Sequence, residues 1–320
     1  MQDDPPATPD KDEDQAIAHL IASLADADEH VRAAAAYELA YTGAAHAVEA
    51  LFPLLADPVA DVRANATYAL YHLGGARAAE AALPLLADPV PIVRMEAALA
   101  VGQYPEPRAL EPLLILLHDR DAGVRDFAAQ YGFRMLGEIA RPHLLNALAD
   151  ARSGVRGAAA RALGWLVSLD AIWAVPPSLL KRYPYALSAE SKAQVVDALM
   201  AATRDEDVTV RYQAIDALGR HGDPRATAVL VPALSDAGPD IRAVTIEALH
   251  QCGVRSAVPL LVAALVDVNP TVRRHAAMAL GDLGDDQVLS ALEAVQQQDV
   301  EPFVREAATS AIARVRRDRR

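Results

Sequence analysis

The apolar residues of this chain fall into a stripe that returns at a fixed interval. Valine or isoleucine, an alanine four residues later and an aliphatic four beyond that recur throughout. Examples are Val31, Ala35, Leu39; Val62, Ala66, Leu70; Val155, Ala159, Leu163; and Val210, Ala214, Leu218. Positions i, i+4 and i+8 share one side of an α-helix, so each copy predicts a helix with a single buried stripe. An arginine follows the β-branched residue every time, at 32, 63, 94, 125, 156, 211, 242, 273 and 305. The intervals are 31 residues, apart from one of 55 and one of 32. Upstream, Leu24, Leu55, Leu86, Leu117, Leu148, Leu234 and Leu265 recur, with Ile21, Phe52, Leu83, Leu114, Leu145, Val231 and Val262 three residues before them. That spacing predicts a first helix in each unit. Pro91, Pro239, Pro270 and Pro302 stand where a first helical turn tolerates proline. Gly43, Gly74, Gly222, Gly253 and Gly284 stand where second helices should stop.

The run L-x-D-x-x-x-x-V-R-x-x-A-x-x-A-L-x-x-x-G, clearest from Leu55 to Gly74, resembles the short HEAT-like repeat of the phycobilisome-lyase type. The resemblance covers about residues 15–317 in nine copies. It implies an all-α protein, a right-handed α-solenoid superhelix of about nine two-helix repeats, with the second helices lining a concave face. No such unit hides its apolar faces alone, so stacking is obligatory. Residues 1–14 read as a disordered acidic tail and residues 318–320 as a basic end. The long interval inserts 24 residues, an irregular segment around 168–187 whose Pro176, Pro177 and Pro184 forbid one regular helix. The fourth unit slips by one residue, with Gly132 in an aliphatic slot.

An aspartate stands six residues before every one of the nine arginines. An Asp in the inter-helix turn can accept backbone N–H groups, and an arginine can pair with it in bidentate fashion. Asp57, Arg63, Asp88, Arg94, Asp119, Arg125, Asp150 and Arg156 are thus expected to form a structural ladder, because a role repeated in every unit is architectural.

Composition narrows the function. Alanine supplies 69 of 320 residues, favouring close-packed helices. Thirty basic residues against forty-three acidic ones give a net charge of −13, and only Lys11, Lys181 and Lys192 are lysines. Duplex nucleic acid and anionic membrane surfaces ask for a basic footprint, so neither is an expected partner. No span reaches roughly 18 apolar residues and no secretory h-region opens the chain, which points to the cytoplasm. Cys252 is the lone cysteine, leaving no intrachain disulfide. The nine histidines are scattered with no His-Glu dipeptide, the pair that HEAT-like iron hydroxylases use repeatedly. No phosphate-binding or nucleophile motif is present, so no cofactor, metal or catalytic residue is expected, and the oligomeric state is open.

The second helices carry the candidate site. Positions three, six and ten after each valine should share the side away from the core stripe. There stand Tyr37, Tyr41, Tyr68, His72, Gln103, Phe127, Arg134, Arg161 and Trp165. Tyrosine, tryptophan and arginine are frequent anchors at protein interfaces. The expectation is a non-enzymatic interaction scaffold gripping a protein or peptide on its concave face. The alternative is a bilin lyase or lyase-like chromophore-handling subunit, which the resemblance suggests.

Overall fold

The computed structural model describes residues 11–104, 106–167 and 187–317, and every regular element among them is helical. The helices alternate as first and second members of nine pairs. They are α1 Lys11–Ser23, α2 Glu29–Leu39, α3 Val48–Leu51, α4 Ala60–Leu73, α5 Gly75–Ala82, α6 Pro91–Val101, α7 Leu110–Leu116, α8 Ala122–Phe127 and α9 Gly137–Ala147. They continue with α10 Ser153–Val167, α11 Ala189–Ala202, α12 Val208–His221, α13 Thr227–Ala233, α14 Pro239–Gln251, α15 Val258–Ala264, α16 Pro270–Leu283, α17 Leu289–Gln298 and α18 Pro302–Arg317. The fold is thus the all-α, solenoid-type repeat that the stripe predicts. The described residues divide into two compact units, the first running to residue 140 and the second from residue 141 onward. Helix α1 already begins at Lys11, so residues 11–14 belong to a helix and not to the acidic tail. The rest of that tail, nearly all of the 168–187 segment and residues 318–320 lie outside the described residues.

The second-helix stripe is the core. Val62, Ala66 and Leu70 are fully buried, as are Val210, Ala214 and Leu218. Val31 is the exception at 38% exposed, because among the described residues no second helix precedes α2. The first helices bury the recurring leucine at Leu24, Leu86, Leu117 and Leu265, whereas Leu55, Leu148 and Leu234 are half-buried. A second buried position falls four residues earlier, at Leu51, Leu113, Leu144, Leu230 and Leu261, with Leu199 in the same place on α11. The sequence pattern marked one side of the first-helix stripe and missed this second position.

Small residues set how closely the second helices approach. Nine residues after the β-branched position stand Gly102, Gly164, Gly219 and Gly281. A Cβ on Gly164 would lie 2.6 Å from the Ala217 Cβ, and one on Gly281 would lie 2.8 Å from the Ala311 Cα. Any side chain there would push neighbouring helices apart. In the fourth repeat the one-residue slip appears as a π-helical turn, Ala128–Gly132, that follows α8 and absorbs the extra residue. Gly132 is needed because Leu113 fills its slot: an added Cβ would sit 2.5 Å from a Leu113 methyl. Of the glycines expected to stop second helices, Gly43, Gly222 and Gly253 adopt positive φ. Gly74 does not; its neighbour Gly75 does.

The turns repeat one hydrogen-bonding scheme. Each ladder aspartate accepts the backbone N–H two residues on, as Asp57 does from Val59 at 2.9 Å and Asp267 from Asn269 at 2.8 Å. Each arginine donates through Nη1 to the backbone carbonyl of its own repeat's aspartate, as in Arg63 to Asp57 O at 2.8 Å. For seven of them a carboxylate partner is the aspartate of the next repeat. In the first unit Arg32 pairs with Asp57, Arg63 with Asp88 and Arg94 with Asp119, at 2.7–2.9 Å. In the second, Arg156 pairs with Asp205, Arg211 with Asp236, Arg242 with Asp267 and Arg273 with Asp299, at 2.7–3.2 Å. The Arg156–Asp205 pair joins repeats on either side of the long interval. There α10 packs directly on α12, with Gly164 against Ala217.

The arginine hydrogen bond holds Asp57, Asp205, Asp267 and Asp299 below the ordinary carboxylate range. At Asp88 and Asp119 burial pulls the other way, but the arginine and a backbone N–H outweigh it. A lowered folded-state pKa stabilises the fold above the unfolded value, near 3.8, and that stability is lost as pH falls below it. Thermal stability should therefore drop steeply below about pH 4. Arg63→Ala strands a buried carboxylate and is expected to cost about 2–4 kcal/mol in urea unfolding. Arg77→Ala, which breaks the solvated inter-repeat pair with Glu49, should cost less than about 1 kcal/mol. Equal losses would show that the ladder has no special place in the stack.

Candidate functional site

In the first unit, helices α2 and α4 bring four tyrosines and a histidine together. Tyr37 and Tyr68 stack, with ring centroids 5.8 Å apart and planes at 16°. Tyr41 meets Tyr37 edge-on at 5.2 Å, and His72 meets Tyr68 edge-on at 4.6 Å. Tyr71 closes the group, 4.7 Å from His72 and 6.4 Å from Tyr68. These offset and T-shaped arrangements suit the aromatic quadrupole. Yet Tyr37 is 47% and Tyr41 62% exposed, so the rings are organised without being buried.

Their hydroxyls form a chain with a direction. Tyr41 Oη donates to Tyr37 Oη at 2.8 Å and lies 3.1 Å from Tyr68 Oη. A phenol has one hydrogen, so Tyr68 must donate to Tyr41. The Tyr37 hydrogen is then left pointing out of the chain, ready for an acceptor. His72 is open at its outer edge, but desolvation by its surroundings lowers its pKa and favours the neutral ring.

The other expected site residues distribute differently. Phe127 pairs with Tyr131, centroids 5.2 Å apart, and Gln103 and Arg134 are half-buried on the same unit. Arg161 and Trp165 belong to α10 of the second unit. There the Arg220 guanidinium lies over the Trp165 ring, 4.6 Å from its centroid, and pairs with Asp216. Farther along that unit, Asp282 bridges His250 at 3.2 Å and Arg314 at 3.0 Å, linking α14, α16 and α18. The nine residues thus form a tyrosine–histidine cluster and a Phe127 pair in one unit, and a tryptophan–arginine patch in the other. Tyr71, Tyr131 and Arg220 were missed as neighbours. Tyr71 had a signal: it occupies the position where four other repeats place glycine.

Among the described residues, no group of three or more histidine, cysteine or acidic side chains is placed to hold a metal ion. No described helix is long and apolar enough to cross a membrane. Cys252 is half-buried, its Sγ 3.7 Å from the Leu218 carbonyl, and burial pushes its pKa up to about 11. Such a thiol is a poor nucleophile.

Glu96 stands out electrostatically. It lies three residues after Val93 on α6, and its Oε2 is buried with no hydrogen-bond partner. Desolvation pushes its pKa up to about 7. A carboxyl whose folded pKa is raised destabilises the fold progressively as pH rises from its unfolded value, 4.5, to the folded one. Glu96→Gln should therefore raise the urea midpoint at pH 8 and leave it nearly unchanged at pH 4. The gain should be about 1–2 kcal/mol, since the partly exposed side chain is screened by solvent. A gain of equal size at both pH values would contradict the burial of this carboxyl.

A model of HEAT repeats matches residues 17–91, 73–134, 185–250 and 227–313. No curated protein matches the chain. Among solved structures, the chain is similar to the Escherichia coli protein YibA, at 19% identity and a TM-score of 0.50 over 99% of this chain and 100% of that one. An engineered protein aligns at 21% identity and a TM-score of 0.44, covering 93% of this chain and 88% of the other. Human deoxyhypusine hydroxylase in complex with glycerol aligns at 26% identity and a TM-score of 0.36, over 95% and 97%. These likenesses concern the fold. With the family model spanning most of its length, the chain belongs to the HEAT-repeat family.

Proposed function

We propose that this protein is a binding scaffold whose second-helix face grips a protein or peptide partner. The observation that carries the reading is the mutually ordered cluster of Tyr37, Tyr41, Tyr68, Tyr71 and His72, in which Tyr37, Tyr41 and His72 are exposed while Tyr68 and Tyr71 are half-buried, Tyr68 seated against the core. Tyrosine gives large contact area for little conformational entropy, and rings already held by neighbours have less still to lose on binding. The HEAT-repeat fold, generally an interaction fold, agrees with this use. The narrower likeness to phycobilisome-lyase repeats rests on the motif from Leu55 to Gly74, and nothing in the tyrosine cluster favours a chromophore over a polypeptide. In the second unit, Trp165 over Arg220 supplies a further aromatic–guanidinium anchor of the kind that interfaces favour.

Site-specific photocrosslinking tests the reading. A photoreactive phenylalanine at position 41 or 72 should yield the same partner adduct in cells of the source organism, and one at Ile115 on α7 should not. Tyr68→Ala should lower the adduct yield about ten-fold, as expected for loss of an interface anchor. Adducts of equal yield from all three positions, or none from 41 and 72, would overturn it.

A further inference from the structure

The tyrosine face lacks positive charge. The arginines on its helices are committed to the ladder: Arg32 to Asp57, Arg63 to Asp88 and Arg94 to Asp119. Of the first-unit residues three, six and ten positions after the valines, only Arg134 is a fixed cation, and it lies in the fourth repeat. The acid of that face is Glu96. Its register position is the one Asn65 holds on α4, and Asn65 reaches back to the Ala33 carbonyl on the preceding second helix at 2.9 Å. For Glu96 the preceding second helix is α4, which carries Tyr68, Tyr71 and His72. An acid whose Oε2 has no hydrogen-bond partner thus stands on the second helix that follows the tyrosine-bearing α4, on a chain of net charge −13.

We infer that this face receives a basic, extended peptide segment, with a lysine or arginine side chain against the tyrosine rings and its charge met by Glu96. The inference rests on the second-helix face being the binding surface and names the chemistry of what binds there. A cation over a tyrosine ring is attracted by the ring quadrupole, more strongly when both are shielded from water. The same cation gives Glu96 the counter-charge that the folded chain withholds, so binding favours its ionised form. The outward Tyr37 hydroxyl hydrogen can serve a peptide carbonyl. A proline-rich segment would use the rings and that donor but would leave Glu96 without a partner.

Fluorescence anisotropy of the full chain with labelled octalysine, octaproline and octaglutamate at about 150 mM salt and pH 8 tests this, since long-range attraction to the acidic chain is largely screened there. Octalysine should bind, and Tyr68→Ala and Glu96→Gln should each weaken it at least five-fold while melting as cooperatively as the parent. Glu111→Gln, at an exposed acid on α7, should change it less than two-fold. Equal losses from Glu96→Gln and Glu111→Gln would reduce the binding to net charge and overturn the proposal. Tyr68-dependent binding of octaproline in place of octalysine would overturn the basic partner while leaving the scaffold reading intact. Absence of crosslinks from position 41 would remove the scaffold reading itself.

Discussion

The structure depends on one guanidinium used twice. In each repeat the arginine after the β-branched residue donates to the carbonyl of its own turn, and where the next repeat is paired it donates to that repeat's aspartate. The first bond fixes the angle between the two helices of a pair. The second fixes the spacing to the following pair. Because the aspartate also accepts the N–H two residues on, the carboxylate is held in place before the arginine arrives. A bidentate pair with little solvent around it tolerates small error in position, so register is copied from repeat to repeat. The Arg156–Asp205 pair shows how strong the demand is: partners separated by 49 residues meet in the same geometry as partners separated by 25.

Register then decides what is displayed. Alanine and glycine on the flanks of the second helices let their backbones approach, and the remaining side is left to carry large groups. In the first unit those groups are aromatic and share their hydroxyl hydrogens. In the second they are ionic, with Trp165 under Arg220 and Asp282 between His250 and Arg314. The first unit accepts an electrostatic cost at Glu96, whose carboxyl is buried without a partner at a place where the homologous position carries a neutral, hydrogen-bonded Asn65. Costs of this kind concentrate where a surface is shaped for something other than stability.

Much of this was legible in the residues. The four-residue steps of Val, Ala and Leu located the second helices among the described residues, with the stripe broken at Gly132, and proline at 91, 239, 270 and 302 marked the first residue of four of them. The Asp–Arg spacing showed that a ladder existed but not its connectivity, since a distance of six residues within a repeat says nothing about the neighbour 25 residues on. The recurring leucine marked a buried first-helix position at Leu24, Leu86, Leu117 and Leu265, but the second buried position four residues earlier, at Leu51 and its equivalents, was not read. The tyrosines were found by their position on the outer side of the second helices. Arg220 was not found as a neighbour of Trp165, because cation–π geometry depends on the separation of adjacent helices, which Gly164 at the ninth position sets there.

The central claim, that the inter-repeat ion pair holds the stack in register, is tested most directly by a double-mutant cycle on Arg242 and Asp267 in urea unfolding. The account expects a coupling energy of about 2 kcal/mol or more, with the double variant far less damaged than the two single variants added together. A coupling indistinguishable from that of the solvated Glu49 and Arg77 pair would contradict it.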